Sequence, residues 1–315
     1  MEEKILTLIS TAIEFDLTTK QSKEIAIDKI EVNPADKSKI YWIHGDLRNQ
    51  EQYLELVKKL KLPQEAINVS LHDSSSKKFI DAENSLTVKI SDILCIVPKT
   101  YLNFNSKSLT DTYIKGESLF GKLFIYLTDQ ICFTATYEPL LCTAKFREDF
   151  LKNIKFALTP GFILFLIIDN VISNYSDILH DYEMAAEKLD DAIRELKKGT
   201  YSDVINIKNQ IVKIKSNIST LRNVLLRVST RKISVISDSN RQSLSNLLEH
   251  IQLLIIEVDS IREILNGILD FLNNRLMRRM NKSVQIIKNI FLVGITLFVI
   301  AVLLNFYFHW IGFGK

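Results

Sequence analysis

The sequence predicts an α+β protein: an N-terminal α/β cytoplasmic domain, then long heptad helices, then one C-terminal transmembrane helix. Short β-rich runs crowd the first half of the chain. Apolar residues recur at alternating steps of three and four through much of the second half. No Asp, Glu, Lys or Arg occurs in residues 289–314. These patterns divide the chain into a cytoplasmic α/β domain (1–158), a long-helix coiled-coil or stalk region (159–288) and a transmembrane helix (289–310).

The bulk composition is that of a folded protein. The 315 residues are 47% hydrophobic and 24% charged, unlike a disordered chain. The formal net charge of +3 is too small to make nucleic acid the main partner. Three cysteines cannot build a disulfide framework, and Cys95, Cys132 and Cys142 lack metal-ligand spacing. They read as thiols of a reducing compartment. Nine glycines and five prolines favour long helices over a loop-rich fold.

In the N-terminal region, residues 40–44 (IYWIH), 85–90 (SLTVKI) and 93–97 (ILCIV) read as strands. Residues 122–127 (KLFIYL) and 131–137 (ICFTATY) pair as a hairpin around Thr128-Asp129-Gln130. Helices are expected at 49–60 and 63–71, and loops at 74–76 and 103–110. No Gly-rich phosphate loop is present.

Thr159 and Pro160 suit an N-cap and a first helical position. Residues 162–168 (FILFLII) are too short to span a bilayer and read as the buried start of that helix. Three heptad series follow. The first is Ile172, Tyr175, Leu179, Tyr182, Ala186, Leu189, Ile193 and Leu196. The second is Val204, Ile207, Ile211, Ile214, Ile218, Leu221, Leu225 and Val228. The third is Leu244, Leu247, Ile251, Leu254, Val258, Ile261, Leu265, Ile268 and Leu272. Apolar residues every 3.5 positions predict knobs-into-holes packing. The breaks, at 198–200 and 229–243, imply antiparallel neighbours.

No proline interrupts the chain after the third series begins. Residues 239–308 therefore read as one helix of about 70 residues, near 105 Å. Two neighbours cannot cover so long a rod, so a parallel homo-oligomer is expected. The alternative is a monomeric bundle on a membrane anchor.

Residues 290–308 are nineteen in number and span about 28 Å, close to a bilayer's hydrocarbon thickness. Tyr307 and Trp310 lie at the far end, where aromatic rings favour headgroups. Arg275, Arg278, Arg279, Lys282 and Lys288 precede the span and only Lys315 follows. The positive-inside rule then predicts a single-pass protein of the inner (plasma) membrane with residues 1–285 cytoplasmic.

At 100° per residue, Gln285, Asn289 and Thr296 share one face within about 40°, and Val293, Ile300 and Leu303 continue it. In an oligomer these six are candidate pore-lining residues. The same polar groups would equally serve as helix–helix glue. Asn305 falls on the opposite side. Arg275, Arg278, Arg279 and Lys282 suit a collar for phospholipid headgroups.

No catalytic constellation emerges, and no enzyme activity is expected. The five histidines (His44, His72, His180, His250, His309) stand apart, and GxSxG and CxxC motifs are missing. His44-Gly45-Asp46 reads first as a satisfied strand end. The acidic face of Asp177, Asp181, Glu183, Glu187 and Asp190-Asp191 has hard oxygens for a divalent cation, though a solvated helix face is the simpler reading.

Three segments carry a family resemblance: Tyr41-Trp42-Ile43-His44-Gly45-Asp46, Thr159-Pro160-Gly161 with the FILFLIIDNVI that follows, and Asn273-Asn274-Arg275-Leu276 with Arg279 and Asn281. In that order they resemble the CorA-type divalent metal cation transporter family, most closely its ZntB-like branch. The resemblance implies a homopentamer whose long helices line a pore beneath a cytoplasmic funnel. It implies Mg²⁺ or Zn²⁺ as the transported or regulatory ion and no resident cofactor. Relatives of this kind end the pore helix on Gly-Met-Asn and add a second membrane helix. Here Asn305-Phe306-Tyr307 occupies that place, and no second span follows Trp310. Two expectations result: a divalent cation transport protein, or a non-conducting membrane-anchored scaffold or regulatory relative.

Overall fold

The computed structural model of the chain describes residues 11–30, 37–47, 49–71, 79–82, 85–95, 119–136, 152–153, 156, 159–194 and 200–312. Seven strands form one sheet: β1 (Thr11–Asp16), β2 (Gln21–Ala26), β3 (Lys39–Asp46), β4 (Phe79–Ala82), β5 (Ser85–Cys95), β6 (Leu119–Leu127) and β7 (Ile131–Thr136). Their order is β2-β1-β3-β7-β6-β5-β4. Among the described residues only the central β3–β7 pair is parallel, with Trp42 opposite Cys132. The other pairs are antiparallel.

Residue alternation along the central strands explains why they read as continuous apolar runs: both faces are buried. Ile40 and Trp42 of β3, Leu123, Ile125 and Leu127 of β6, and Cys132 of β7 point to one face. Tyr41 and Ile43, Phe124 and Tyr126, and Phe133 and Ala135 point to the other. The second face is covered by α1 (Gln50–Lys59) and α2 (Gln64–Leu71) through Tyr53, Leu56, Val57, Ala66 and Val69. Asn49 caps α1 by accepting from the Gln52 amide at 3.2 Å. Gly45 leaves room for the Phe133 ring of the neighbouring strand β7, since a Cβ there would lie 3.0 Å from that ring.

The first face rests on α3 (Pro160–Arg194), whose Ile163, Leu164, Ile167 and Ile168 are buried. The run 162–168 is thus the buried start of a helix, as its length required. From Val171 onward the same core continues into a three-helix bundle with α4 (Thr200–Thr230) and α5 (Asp238–Gly312). In the first series every member from Ile172 to Ile193 is buried, and Leu196 lies outside the described residues. All eight members of the second series are buried, and so is the third as far as Ile268.

α5 is one helix of 75 residues. The second break is shorter than the sequence pattern suggested. α4 runs through Ser229 to Thr230, and α5 starts at Asp238. Ser229 and Thr230 keep their hydroxyls on the Leu226 carbonyl, so polar side chains there do not end the helix. Ser237 caps α5 by accepting from the Asn240 amide at 3.3 Å.

The sheet also departs from the sequence reading. Residues 85–90 and 93–95 belong to one strand, β5, with a register shift between Ile90 and Ile93, the mark of a bulge. The β1–β2 hairpin had no recognisable turn motif. It closes through Asp16 Oδ1, which accepts from the Thr18 and Thr19 amides at 2.8 and 3.0 Å, with Lys20 in the left-handed region at φ 54°. The expected loops at 74–76 and 103–110 lie outside the described residues.

Candidate transport path

α3 and α5 run side by side in the same direction. At one end Asn240 Nδ2 donates to Thr159 Oγ1, and Gly161 leaves room for that amide, because a Cβ there would lie 2.8 Å from Asn240 Nδ2. At the other end Arg275 Nη1 donates to the Ile193 carbonyl at 3.4 Å. α4 runs antiparallel beside them and packs mainly on α5. It is joined to α5 by Lys215, whose ammonium lies 2.6 Å from Asp259 Oδ1, with Arg262 on the same oxygen at 2.9 Å.

The bundle ends at the level of Arg275. Leu265 and Ile268 are buried and Leu272 is partly buried. Every residue from 276 to 305 is exposed in the single chain. Both α3 and α5 are long and apolar enough to cross a membrane. In α3, 61% of the most apolar stretch is buried against sheet and bundle, whereas in α5 none is. Of these two helices, α5 is the one whose most apolar stretch the described residues leave uncovered. With no water to satisfy a backbone in lipid, an unbroken helix is the form that can carry it.

All six pore-lining candidates, Gln285, Asn289, Val293, Thr296, Ile300 and Leu303, sit on this uncovered stretch. Thr296 Oγ1 bonds the Val293 carbonyl at 2.8 Å, a bond that keeps a hydroxyl satisfied in an apolar setting. The four collar candidates separate. Arg275 is half-buried and turned to the last turn of α3, where a cation meets the negative end of the helix dipole. Arg278, Arg279 and Lys282 are exposed.

The other candidates resolve into structure. His44 is buried in the sheet, with Nδ1 3.0 Å from Thr134 Oγ1 and Nε2 3.4 Å from Thr136 Oγ1, which makes it a satisfied strand residue. Cys132 is fully buried, and burial pushes its thiol far above the ordinary range. Among the described residues no three His, Cys, Asp or Glu side chains converge to hold a metal. On the acidic face of α3, Glu183 instead lies 3.9 Å from His180 Nδ1.

Two electrostatic features escaped the sequence reading. Asp259 is held below the ordinary carboxylate range by its hydrogen bond from Lys215, with Arg262 adding to it. Glu257 is pushed up by burial and by Glu183, with His180 opposing. Both residues flank core positions of α5, where coiled coils place interhelical charges. The heptad register was the signal that would have found them.

A mixed sheet seated on a three-helix bundle, with the last helix leaving the bundle as a bare apolar rod, defines a membrane protein with a large soluble head. The family described as CorA-like Mg²⁺ transporter protein matches residues 37–293, and the chain belongs to that family of divalent cation transporters. Solved structures share the fold. The complete CorA magnesium transporter of Methanocaldococcus jannaschii is similar at TM-score 0.71 and 16% identity, over 89% of this chain and 81% of that one. The full-length CmaX protein is similar at TM-score 0.69 and 14% identity, over 87% and 79%. The cytoplasmic domain of ZntB from Vibrio parahaemolyticus is similar at TM-score 0.57 and 14% identity, over 87% and 99%. No curated protein matches the sequence.

Proposed function

We propose that this protein carries divalent cations, Mg²⁺ or Zn²⁺, across the inner (plasma) membrane through a pore that several copies of α5 build together. The observation that carries the reading is the continuity of α5: one 75-residue helix begins in the bundle and ends in an apolar stretch that none of the other described residues covers. A lone rod of that kind leaves its polar face in lipid, whereas copies around an axis turn it inward. Five copies, as the family resemblance implies, would direct Gln285, Asn289, Val293, Thr296, Ile300 and Leu303 to the axis.

In this reading residues 1–158 form the cytoplasmic domain, 159–288 the stalk and 289–310 a single membrane crossing. The positive charges at 275–288 mark the cytoplasmic side. The test is uptake of Mg²⁺ and of Zn²⁺ into proteoliposomes, read with an indicator dye. Uptake above that of empty vesicles supports transport. Cation-tight vesicles holding assembled protein reject it.

A second reading has its own observation. Asn305-Phe306-Tyr307 stands where the resemblance places Gly-Met-Asn. A scaffold or regulatory relative would keep the assembly and lose conduction. Assembled protein that fails to rescue a transport-deficient cell, with tight vesicles, would favour it.

A further inference from the structure

On α5 the face left open by the bundle is continuous from the soluble head into the membrane. Stepping back from Gln285 by three or four residues reaches Lys282, Arg278, Asn274, Phe271, Gly267 and Ile264, all exposed in the single chain. Stepping forward reaches Asn289, Val293, Thr296, Ile300 and Leu303. The average step is about 3.5 residues, so the series stays within an arc of about 100° on the helix surface. The bundle-facing series is roughly 120° away on average, narrowing to about 60° at Ile268.

Ile264 and Phe271 show that this open face is apolar before it reaches the charges, with Phe271 51% exposed. Such a seam expects protein against it. Arg278 and Lys282 prolong the seam toward the membrane. Arg279 and Lys288 do not: they lie roughly 80° and 100° from its middle, on opposite sides. No Asp or Glu follows Asp270 to offset these charges.

We propose that Arg278 and Lys282 face the central axis of the assembly, where the copies build two positively charged rings at the cytoplasmic mouth. These rings restrain cation access, while Arg279 and Lys288 face lipid headgroups. The inference rests on the pore reading above and assigns its specificity. Rings of one sign in a confined mouth focus their field on a passing ion. A ring therefore slows a cation more than the same charges spread over the outer surface.

Two measurements test it on the full chain. The first compares Mg²⁺ uptake in proteoliposomes for R278Q/K282Q and R279Q/K288Q. The rings predict that the first pair raises uptake at least ~3-fold at low ionic strength, with the gain shrinking in high salt. The second pair stays near the unsubstituted rate. Equal rates for the two pairs, in vesicles where the unsubstituted chain conducts, overturn the proposal.

The second measurement is disulfide crosslinking between copies for R278C, K282C, R279C and K288C, each compared with the unsubstituted chain. Crosslinks confined to positions 278 and 282 support the rings. Crosslinks at 279 or 288 instead, or at none of the four in an assembled protein, overturn them. If the assembly does not conduct, the crosslinks still decide which way Arg278 and Lys282 face, and the transport reading alone falls. A single-copy mass overturns both.

Discussion

Arg275 donates from Nη1 to the Ile193 carbonyl at 3.4 Å and so fixes the point where α5 parts from the bundle. Its counterpart, Asn240 on Thr159, lies at the other end of the same helix pair. In sequence the two contacts are separated by 82 and 81 residues. That near-constant offset means α3 and α5 keep one parallel register along the whole bundle.

Removing the lower contact should loosen the last turns of α3 without unfolding the head. R275A is expected to cost about 0.5–1 kcal/mol, the range for a capping or dipole interaction. Hydrogen–deuterium exchange checks it. Faster exchange confined to the C-terminal turns of α3 and the facing part of α5 is the expected outcome, and uniform exchange across the head would refute it.

The Lys215–Asp259–Arg262 contact gives the bundle an acid-sensitive element. Asp259 is held below its ordinary value of 3.8 in the folded chain. Its contribution is therefore present above that value and is lost as pH falls through the lower folded value. The group is partly exposed to solvent, so D259N should cost less than about 1 kcal/mol at neutral pH. The cost should vanish in acid. A thermal-melt series of both proteins against pH measures this, and a difference that grows toward acid pH would contradict it.

Glu257 behaves with the opposite sign. Burial and Glu183 raise its carboxyl above the ordinary 4.5. Folding is thus favoured most below that value, and the advantage falls as pH rises through the raised folded value. E257Q removes the charge that is disfavoured. At about pH 8 the variant should melt at or above the temperature of the unsubstituted protein, and near pH 4 the two should coincide. A variant less stable at the higher pH would show that the Glu257 charge is needed.

The bundle seam is the main source of cohesion between α3, α4 and α5. Ile218 is fully buried within it. I218A should cost about 2–5 kcal/mol, the range for deleting a buried aliphatic side chain. Leu253 is 64% exposed, so L253A should leave the melting of the single-chain bundle almost unchanged. Equal losses for the two would contradict the seam.

The bundle was legible in the sequence because each heptad position is filled by one chemical class. From Val204 to Val228 and from Leu244 to Ile268 the apolar residue is the buried one. The sandwiched strands β3, β6 and β7 were legible for the related reason that burial on both faces demands unbroken apolar runs. The β1–β2 hairpin was not, because edge strand β2 (QSKEIA) is mostly exposed and lacks a buried run. Its turn is held by an aspartate side chain rather than by an Asn-Gly pair. In the candidate path the sequence marked the residues and not their neighbours. Beyond Asn289 the helix is apolar on several sides at once, so periodicity there identifies lipid as solvent without saying which side meets it. Arg275 looked like its basic neighbours until the end of α3 was placed beside it.

In the proposed assembly the uncovered length of α5 is shared between lipid and other copies of the chain. Native mass spectrometry of the full-length protein released from detergent tests this most directly. One chain weighs 36.3 kDa, and the expected species is a discrete assembly of several chains, at five copies about 180 kDa, that survives dilution. A species at the mass of one chain under those conditions would contradict it.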